Sequence, residues 1–195
     1  MSKKTASKTA NNRSLIVCAA YKLLAREGYD AATMKEIANA AGVAPGLIHY
    51  YFSSKDQLLQ EVLYAAGEQY VKEVERWCNT LSPEQLLEKT FTEPKQRVVD
   101  EPEWFRLRCE LFTLGLRNVN FHDAVRVMLS TGRQCITRLV RQIAGDAIAN
   151  PEAMASVLLA AFDGLALQKL ADPDFDLESA YRALFEMFAS QLRKD

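Results

Sequence analysis

The sequence predicts an all-α protein of about nine helices, and three observations support this. Apolar residues recur at helical spacing along most of the 195 residues. Helix-start signals such as capping boxes alternate with stop signals such as glycine. No stretch alternates polar and apolar residues with the period of two that is typical of a strand. Because 49% of the residues are hydrophobic, such helices can bury a substantial core.

The first two predicted helices are bounded by clear local signals. An apolar stripe predicts a helix over about residues 12–27, which stops at Gly28. Thr33 precedes Glu36 with the spacing of a capping box and so begins a second helix. That helix is short because Gly42 follows it.

A third and a fourth helix follow closely. Pro45 suits the first position of a short helix over about 45–51, because a proline there lacks only an N–H that has no intrahelical partner. Ser54 and Gln57 form another capping box and open a long amphipathic helix. This fourth helix is long enough to join two domains.

Further helices are predicted in the rest of the chain. They are a helix opening at Ser82-Pro83-Glu84-Gln85, one over 104–116, one over 121–144, one from Pro151 to about 171, and a last one after Pro173. A break is expected over 94–102, which is bounded by two prolines. A loop is expected over 118–123.

The charge is unevenly distributed along the chain. Residues 1–60 hold eight basic and four acidic residues, a net charge of +4, and the remaining 16 basic and 21 acidic residues give −5. A basic N-terminal part on an acidic body is typical of a protein whose N-terminal part contacts a polyanion. The alternative is a chance fluctuation in a small sample.

Several function classes are disfavoured because their motifs are missing from the sequence. The two histidines, His49 and His122, lie in no HExxH arrangement, and no GxSxG motif or phosphate-binding glycine loop occurs. Cys109 and Glu110 could be imagined as a nucleophile pair, but no orienting base is evident. The four cysteines form no CxxC pair. We therefore expect neither an enzyme nor a bound cofactor or metal.

The location of the protein is predicted from the absence of targeting signals. No apolar run approaches the roughly 20 residues that cross a bilayer. The N-terminus lacks the apolar core of a signal peptide. We therefore expect a cytoplasmic protein that does not bind membranes.

Residues 33–52 have the proportions of a helix-turn-helix. In that motif one short helix braces a second, whose N-terminal residues enter the major groove of DNA. Gly42 suits the turn, where the chain adopts a conformation that is costly for other residues. Gly46 would let the backbone approach DNA closely, while Tyr50 and Lys55 could reach flanking phosphates. The alternative is that these helices are merely a compact packing unit.

The same residues resemble the DNA-binding signature of the tetracycline-repressor (TetR) family. The positions that carry the resemblance are Thr33, Ile37, Ala38, Ala41, Gly42, Val43, Ala44, Gly46, Ile48, His49, Tyr51, Phe52, Ser54, Lys55, Leu58 and Leu59. The resemblance implies an all-helical homodimer. Each subunit would have a DNA-binding head of three helices and a larger helical body that binds a small-molecule inducer. Members of the family usually repress transcription.

The helix pattern and the resemblance together divide the chain into three parts. We expect a disordered basic arm over 1–12, a helix-turn-helix DNA-binding domain over 13–58, and a ligand-binding and dimerisation domain over 59–195. The predicted function is a dimeric, sequence-specific transcriptional regulator, a repressor that a small-molecule effector releases from a palindromic operator in double-stranded DNA. The alternative is a DNA-binding dimer controlled by a protein partner.

The resemblance also carries DNA contacts onto individual positions. The predicted DNA-binding residues are Thr33, Lys35, Ala44, Pro45, Gly46, His49, Tyr50 and Lys55. Thr33 caps the second helix and is expected to contact a phosphate, as is Lys55 at the start of the fourth helix. Ala44, Leu47 and His49 stand where Ser, Thr and Tyr are common in the family, so a base preference does not follow by analogy. His49 either donates to a phosphate or base edge, or packs beneath the helix.

The body offers candidates for dimerisation and for effector binding. The eighth helix is rich in small residues and the ninth carries a broad apolar stripe, so two such helices from each subunit are expected to form the dimer interface. The candidate ligand-binding residues are Trp104, Phe105, Arg108, Cys109, Phe112, Phe121, Met128, Phe162 and Gln168. The alternative is that these residues are ordinary core. Arg108 would suit a carboxylate, whereas Asp163 or Glu110 would suit a cation, and the sequence does not choose between them.

Overall fold

The computed structural model describes residues 2–192 and confirms the all-α prediction, with Met1 and residues 193–195 outside the described part. Within that part the chain forms nine helices. They are α1 (Ser2–Glu27), α2 (Met34–Ala40), α3 (Pro45–Tyr51), α4 (Lys55–Thr80), α5 (Pro83–Asp100), α6 (Pro102–Arg117), α7 (Val119–Ala144), α8 (Pro151–Ala171) and α9 (Leu177–Leu192). Several helix starts predicted from caps and prolines therefore lie within a residue of the observed ones.

The N-terminal segment differs from the expectation of a disordered arm over 1–12. Helix α1 begins at Ser2, so this segment is helical, apart from Met1, which is not described. The physical reason is local, because the segment is rich in alanine and lysine and contains neither glycine nor proline.

The two breaks predicted in the middle of the chain are much shorter than expected. Helix α5 continues through Pro94 to Asp100, and Glu101 alone separates it from α6. Pro94 removes one intrahelical N–H donor, but Phe91 and Val98 on either side of it are buried in the core and hold the helix together. Asn118 alone separates α6 from α7, because its carbonyl accepts from the Phe121 amide at 3.0 Å and starts the next helix.

The chain divides into two compact units. The first ends at Ala66 and also includes Arg106–Arg126, and the second contains Gly67–Phe105 and the chain from Val127 onwards. The division at Ala66 falls inside α4, eight residues beyond the 58/59 boundary predicted above. Residues of α6 and α7 that the prediction assigned to the body belong to the first unit. Helices α4, α6 and α7 each contribute residues to both units.

The first unit has a core that sets the position of α3. Ile37 on α2, Ile48 on α3 and Phe52 just after it are fully buried or nearly so. Between the helices, Gly42 has a φ of +67°, a conformation that glycine adopts without steric cost. Val43 then donates its amide hydrogen to the Ala38 carbonyl at 3.0 Å. The turn and the apolar contacts therefore hold α3 against α2 as a helix-turn-helix.

The core of the second unit is built mainly from α5, α8 and α9. The ring of Phe91 on α5 packs against Phe162 on α8 and against Phe185 and Phe188 on α9. Burial of such aromatic side chains contributes about 1.5–3 kcal/mol each. Phe91 therefore lies where these three helices pack together.

Helix α8 is apolar on nearly all sides, which the sequence analysis did not anticipate. In the described part of the chain it is the one helix long and apolar enough to cross a bilayer, contrary to the expectation that no such segment occurs. One such helix is weak evidence for a membrane span, because an apolar helix within a protein core passes the same test. Ala155, Leu158, Phe162 and Ala166 pack in the second core, while Val157 and Leu167 are exposed.

Candidate nucleic-acid interface

Thr33 begins α2 through the predicted capping box. Its Oγ1 accepts from the Glu36 amide at 3.2 Å, while a Glu36 carboxylate oxygen accepts from the Thr33 amide at 2.9 Å and from the Thr33 hydroxyl at 2.7 Å. These hydrogen bonds from Thr33 hold the pKa of Glu36 below its usual value. Both residues are exposed, so the capped end of α2 lies at the surface of the unit.

Helix α3 presents an exposed face made of the residues predicted to contact DNA. Ala44, Pro45, Gly46, His49 and Tyr50 are all exposed, and the Tyr50 side chain reaches 75% exposure. The exposure of His49 contradicts the alternative that it packs beneath the helix. A side-chain carbon built on Gly46 would meet no atom within 4 Å, so no other part of the protein covers Gly46. We call these five residues the recognition face.

Lys35 and Lys55 differ in solvent exposure. Lys35 is exposed on α2. Lys55 is half-buried, and its Nζ donates to the carbonyls of Tyr29 at 2.6 Å and Ala32 at 3.0 Å. The same ammonium lies 4.2 Å from the centroid of the Tyr29 ring, a cation–π distance. An ammonium has three N–H donors, so these two bonds leave one for the predicted phosphate.

Tyr29 joins the α1–α2 loop to α6 and α7, a role that the sequence analysis did not predict. Its amide donates to a Glu110 carboxylate oxygen at 2.9 Å, and its hydroxyl donates to Asp56. Its ring packs edge-on against Phe121, with 5.5 Å between centroids. Burial raises the pKa of Tyr29 most, and its bond to the Asp56 carboxylate raises it further. Gly28, with a φ of +84°, brings the backbone within reach of Glu110.

The candidate ligand-binding residues are divided between the two units. Four of them belong to the first unit, namely Arg108, Cys109, Phe112 and Phe121. Five belong to the second unit, namely Trp104, Phe105, Met128, Phe162 and Gln168. Phe105 and Phe162 are buried in the second core with Trp104 packed against it, and Gln168 is exposed. Phe121 is fully buried in the first unit. Phe105, Phe121 and Phe162 therefore fit the alternative that these candidates are ordinary core residues.

An open polar groove of about 640 Å³ lies elsewhere on the second unit. It is lined by Gln134, Thr137, Arg138, Arg141, Gln142 and Glu152. Arg138 and Arg141 in this groove form ion pairs with Glu75 and Glu152. The groove is therefore lined by two paired arginines, a glutamate and three uncharged polar side chains, and by no aromatic side chain.

The helix-turn-helix region matches a family model. Residues 16–62 match the family described as bacterial regulatory proteins, tetR family. This segment contains the capping box, the turn, the recognition face and Lys55.

Two curated proteins illustrate how far the similarity extends. The HTH-type transcriptional regulator BetI of Rhizobium meliloti (strain 1021) is 51% identical over 47 residues, which cover 24% of this chain and 23% of that protein. The HTH-type nicotine-responsive transcriptional repressor HdnoR of Paenarthrobacter nicotinovorans is 26% identical over 172 residues, covering 85% of this chain and 87% of that protein. The strong similarity is thus confined to the DNA-binding segment, and a weaker one extends along most of the chain.

Solved structures show the same fold. The crystal structure of a TetR transcription regulator from Haloarcula marismortui ATCC 43049 superposes with a TM-score of 0.73 and 23% identity. The match covers 93% of this chain and 97% of that one. At this identity the similarity establishes the fold and not the ligand.

Proposed function

We propose that this chain, whose DNA-binding segment matches the TetR family, is a dimeric repressor that a small-molecule effector releases from a palindromic operator. The observation that carries this proposal is the recognition face on α3, whose residues are exposed together while Ile48 behind them is buried. We further propose that the protein works in the cytoplasm, where its DNA target lies.

The proposed reading of DNA follows from the shape and charge of the first unit. A short helix with an exposed N-terminal half fits the major groove. Pro45, Gly46 and His49 would face base edges, while Tyr50 and Lys55 would contact flanking phosphates. The net charge of +4 over residues 1–60 favours approach to the DNA backbone.

The proposed dimer rests on α8 and α9. Val157 and Leu167 on α8 are 62% and 53% exposed, and Met187 on α9 is also exposed. These apolar side chains would be buried if the two helices packed against their counterparts in a second subunit. Two heads held about 34–36 Å apart would then contact successive major grooves, and the second contact would be effectively intramolecular.

The proposed effector control rests on helices that contribute to both units. Glu110 on α6 accepts from the Tyr29 amide, and Tyr29 is bound in turn by Lys55 on α4. A ligand that favours another position of α6 or α4 would act on the loop that precedes α2. Shifting the balance from 1:99 to 99:1 requires about 10⁴-fold higher affinity for the state that does not bind DNA.

The proposal is tested by selecting bound duplexes from a random DNA pool with the full chain. We expect enrichment of one palindrome whose half-sites lie one helical turn, about 10 base pairs, or a multiple of it apart. If the protein binds the duplexes without enriching any sequence, the proposed sequence-specific regulation is wrong.

A further inference from the structure

Glu110 on α6 is an acidic residue inside the unit that contains the recognition face. A carboxylate in a DNA-binding unit repels the phosphate backbone, so its charge is unfavourable for DNA binding. Its Oε1 atom accepts a hydrogen bond from the Tyr29 amide at 2.9 Å. Tyr29 belongs to the loop that ends at Thr33, the cap of α2. Glu110 therefore binds the segment from which α2 begins.

The part of α6 that carries Glu110 is fixed by close packing within the first unit. Leu107 and Leu111, which flank Glu110 on α6, are both buried. Further along α6, a side-chain carbon built on Gly115 would come 2.5 Å from a methyl group of Val125 on α7. The two helices therefore lie in close contact there. The place of the Glu110 carboxylate is thus set by a packed core.

Tyr29 is held through its backbone, its hydroxyl and its ring. Its carbonyl accepts from the Nζ atom of Lys55 at 2.6 Å, and its hydroxyl donates to Asp56. Its ring lies edge-on to the ring of Phe121, with 5.5 Å between centroids. With the amide bound to Glu110, any shift of Tyr29 breaks or stretches at least one of these contacts.

The position of Tyr29 also bears on the start of α2. Lys55 donates to the Ala32 carbonyl at 3.0 Å as well as to the Tyr29 carbonyl, so it spans the segment 29–32. Ala32 is fully buried, and its amide donates to the Gly28 carbonyl at 3.3 Å. Thr33 follows directly and caps α2. Tyr29, the Lys55 ammonium and the first turn of α2 are therefore expected to move together.

We propose that Glu110 is a positioning residue for DNA binding. It holds the Tyr29 amide, and through Tyr29 it fixes where Lys55 and the capped end of α2 meet the DNA phosphates. The inference rests on the phosphate contacts proposed for Lys55 and Thr33, and it adds a residue of α6 to which no DNA contact is assigned. The role depends on the place of the acceptor oxygen, whereas the negative charge itself opposes DNA binding.

Two substitutions separate the place of the acceptor from its charge. Glu110→Asp keeps the charge but shortens the side chain by one methylene, which withdraws the acceptor from the Tyr29 amide. Glu110→Gln keeps the length and an acceptor oxygen but removes the charge. We expect Glu110→Asp to bind the selected palindrome about tenfold more weakly than the wild type, as the loss of one charge-assisted hydrogen bond implies. Glu110→Gln should stay within about threefold of the wild type, because a neutral acceptor still makes the bond.

Fluorescence anisotropy with the full-length protein measures these affinities, and two further measurements serve as controls. Asp123→Asn removes a negative charge from an exposed position on α7 in the same unit, and it should bind DNA as tightly as the wild type or slightly more tightly. Hydrogen exchange of the Tyr29 amide, followed by NMR, should be faster in Glu110→Asp, while the amides of α2 and α3 stay protected. A purely structural role of Glu110 predicts lower protection throughout the first unit.

A double-mutant cycle tests the proposed route from Glu110 to Lys55. Glu110→Asp combined with Lys55→Ala should weaken DNA binding by less than the product of the two single effects, because both substitutions act through Tyr29. Effects that multiply would show that Glu110 acts independently of Lys55, and the route through Tyr29 would be wrong.

The positioning role is overturned if Glu110→Asp binds the palindrome as tightly as the wild type. It is also overturned if Glu110→Gln binds no more tightly than Glu110→Asp, since charge would then outweigh the place of the acceptor. In both cases the sequence-specific regulator stands, because the wild type still selects its palindrome. If the wild type selects no sequence, the proposed function itself fails, whereas faster exchange of the Tyr29 amide in Glu110→Asp would still support the contact.

Discussion

The Nζ atom of Lys55 lies 2.6 Å from the carbonyl oxygen of Tyr29 and 4.2 Å from the centroid of its ring. A single ammonium thus ties the start of α4 to the loop between α1 and α2. The loop ends at Thr33, the cap of α2, so this contact sets where the helix-turn-helix begins. Lys55 therefore has a structural role in addition to the phosphate contact proposed for it.

Replacing Lys55 by Ala should affect both stability and DNA binding. We expect a loss of about 1 kcal/mol in the free energy of unfolding, because the Tyr29 and Ala32 carbonyls lose a charged donor. We also expect weaker DNA binding, with the slope of log affinity against log salt smaller by about one. Urea unfolding and fluorescence anisotropy at several salt concentrations measure the two effects. Lys22→Ala, an exposed lysine of α1, is the control for removing one positive charge. An unchanged salt slope would show that Lys55 does not contact a phosphate.

The cap of α2 should make stability depend on pH and on Thr33. Thr33→Ala should destabilise the first unit by about 1 kcal/mol, because the helix loses its N-cap. The folded-state pKa of Glu36 lies below its usual 4.5. The stability that this carboxylate contributes is therefore present above pH 4.5 and is lost as the pH falls through the lowered pKa.

Urea unfolding between pH 3 and 7, a range spanning the usual carboxyl pKa values, tests this cap. In the Thr33→Ala variant the loss of stability at acid pH should be smaller than in the wild type. Identical pH profiles for the two proteins would contradict the role assigned to the capping box.

Two glycines should respond oppositely to alanine. Gly28→Ala places a side chain at a φ of +84°, with its Cβ 3.4 Å from the Glu110 carboxylate, and should cost about 1–2 kcal/mol of stability. Gly46→Ala meets open space in the protein and should leave the stability equal or slightly higher. It should nevertheless weaken operator binding, because the new methyl group lies on the recognition face. Thermal unfolding and DNA titration of both variants make the comparison, and normal DNA binding by Gly46→Ala would remove Gly46 from the interface.

The proposed dimer interface can be tested with a charge. Val157→Glu places a carboxylate on the exposed side of α8 and should convert the dimer to a monomer at micromolar concentration, because the charge would be buried without a partner. Val99→Glu is the matched control, since Val99 is 61% exposed on α5 and Val157 is 62% exposed. Light scattering gives the mass of each variant. A dimer that persists in Val157→Glu would place the interface elsewhere.

Local signals in the sequence predicted α2, α3 and their turn closely, because a capping box, a glycine at the turn and a proline at the first helical position each act within a few residues. The path of α5 through Pro94 was not predictable in this way, since it depends on the burial of Phe91 and Val98 against other helices. The same holds for the amide of Tyr29, whose acceptor Glu110 lies 81 residues further along the chain. The recognition face could be predicted because it is local and exposed. The aromatic candidates of the body could not be divided into core and ligand contacts, since both kinds share helical spacing.

We propose that the two recognition helices of one dimer bind the two halves of a palindromic site. This proposal is tested most directly by measuring the affinity of the wild-type protein for the selected palindrome and for the same duplex with one half-site scrambled, together with the mass of each complex. We expect two subunits on the palindrome and an affinity at least about 100-fold lower for the scrambled duplex, because the second contact no longer benefits from high effective concentration. Equal affinity for the two duplexes, or one subunit bound to the palindrome, would contradict it.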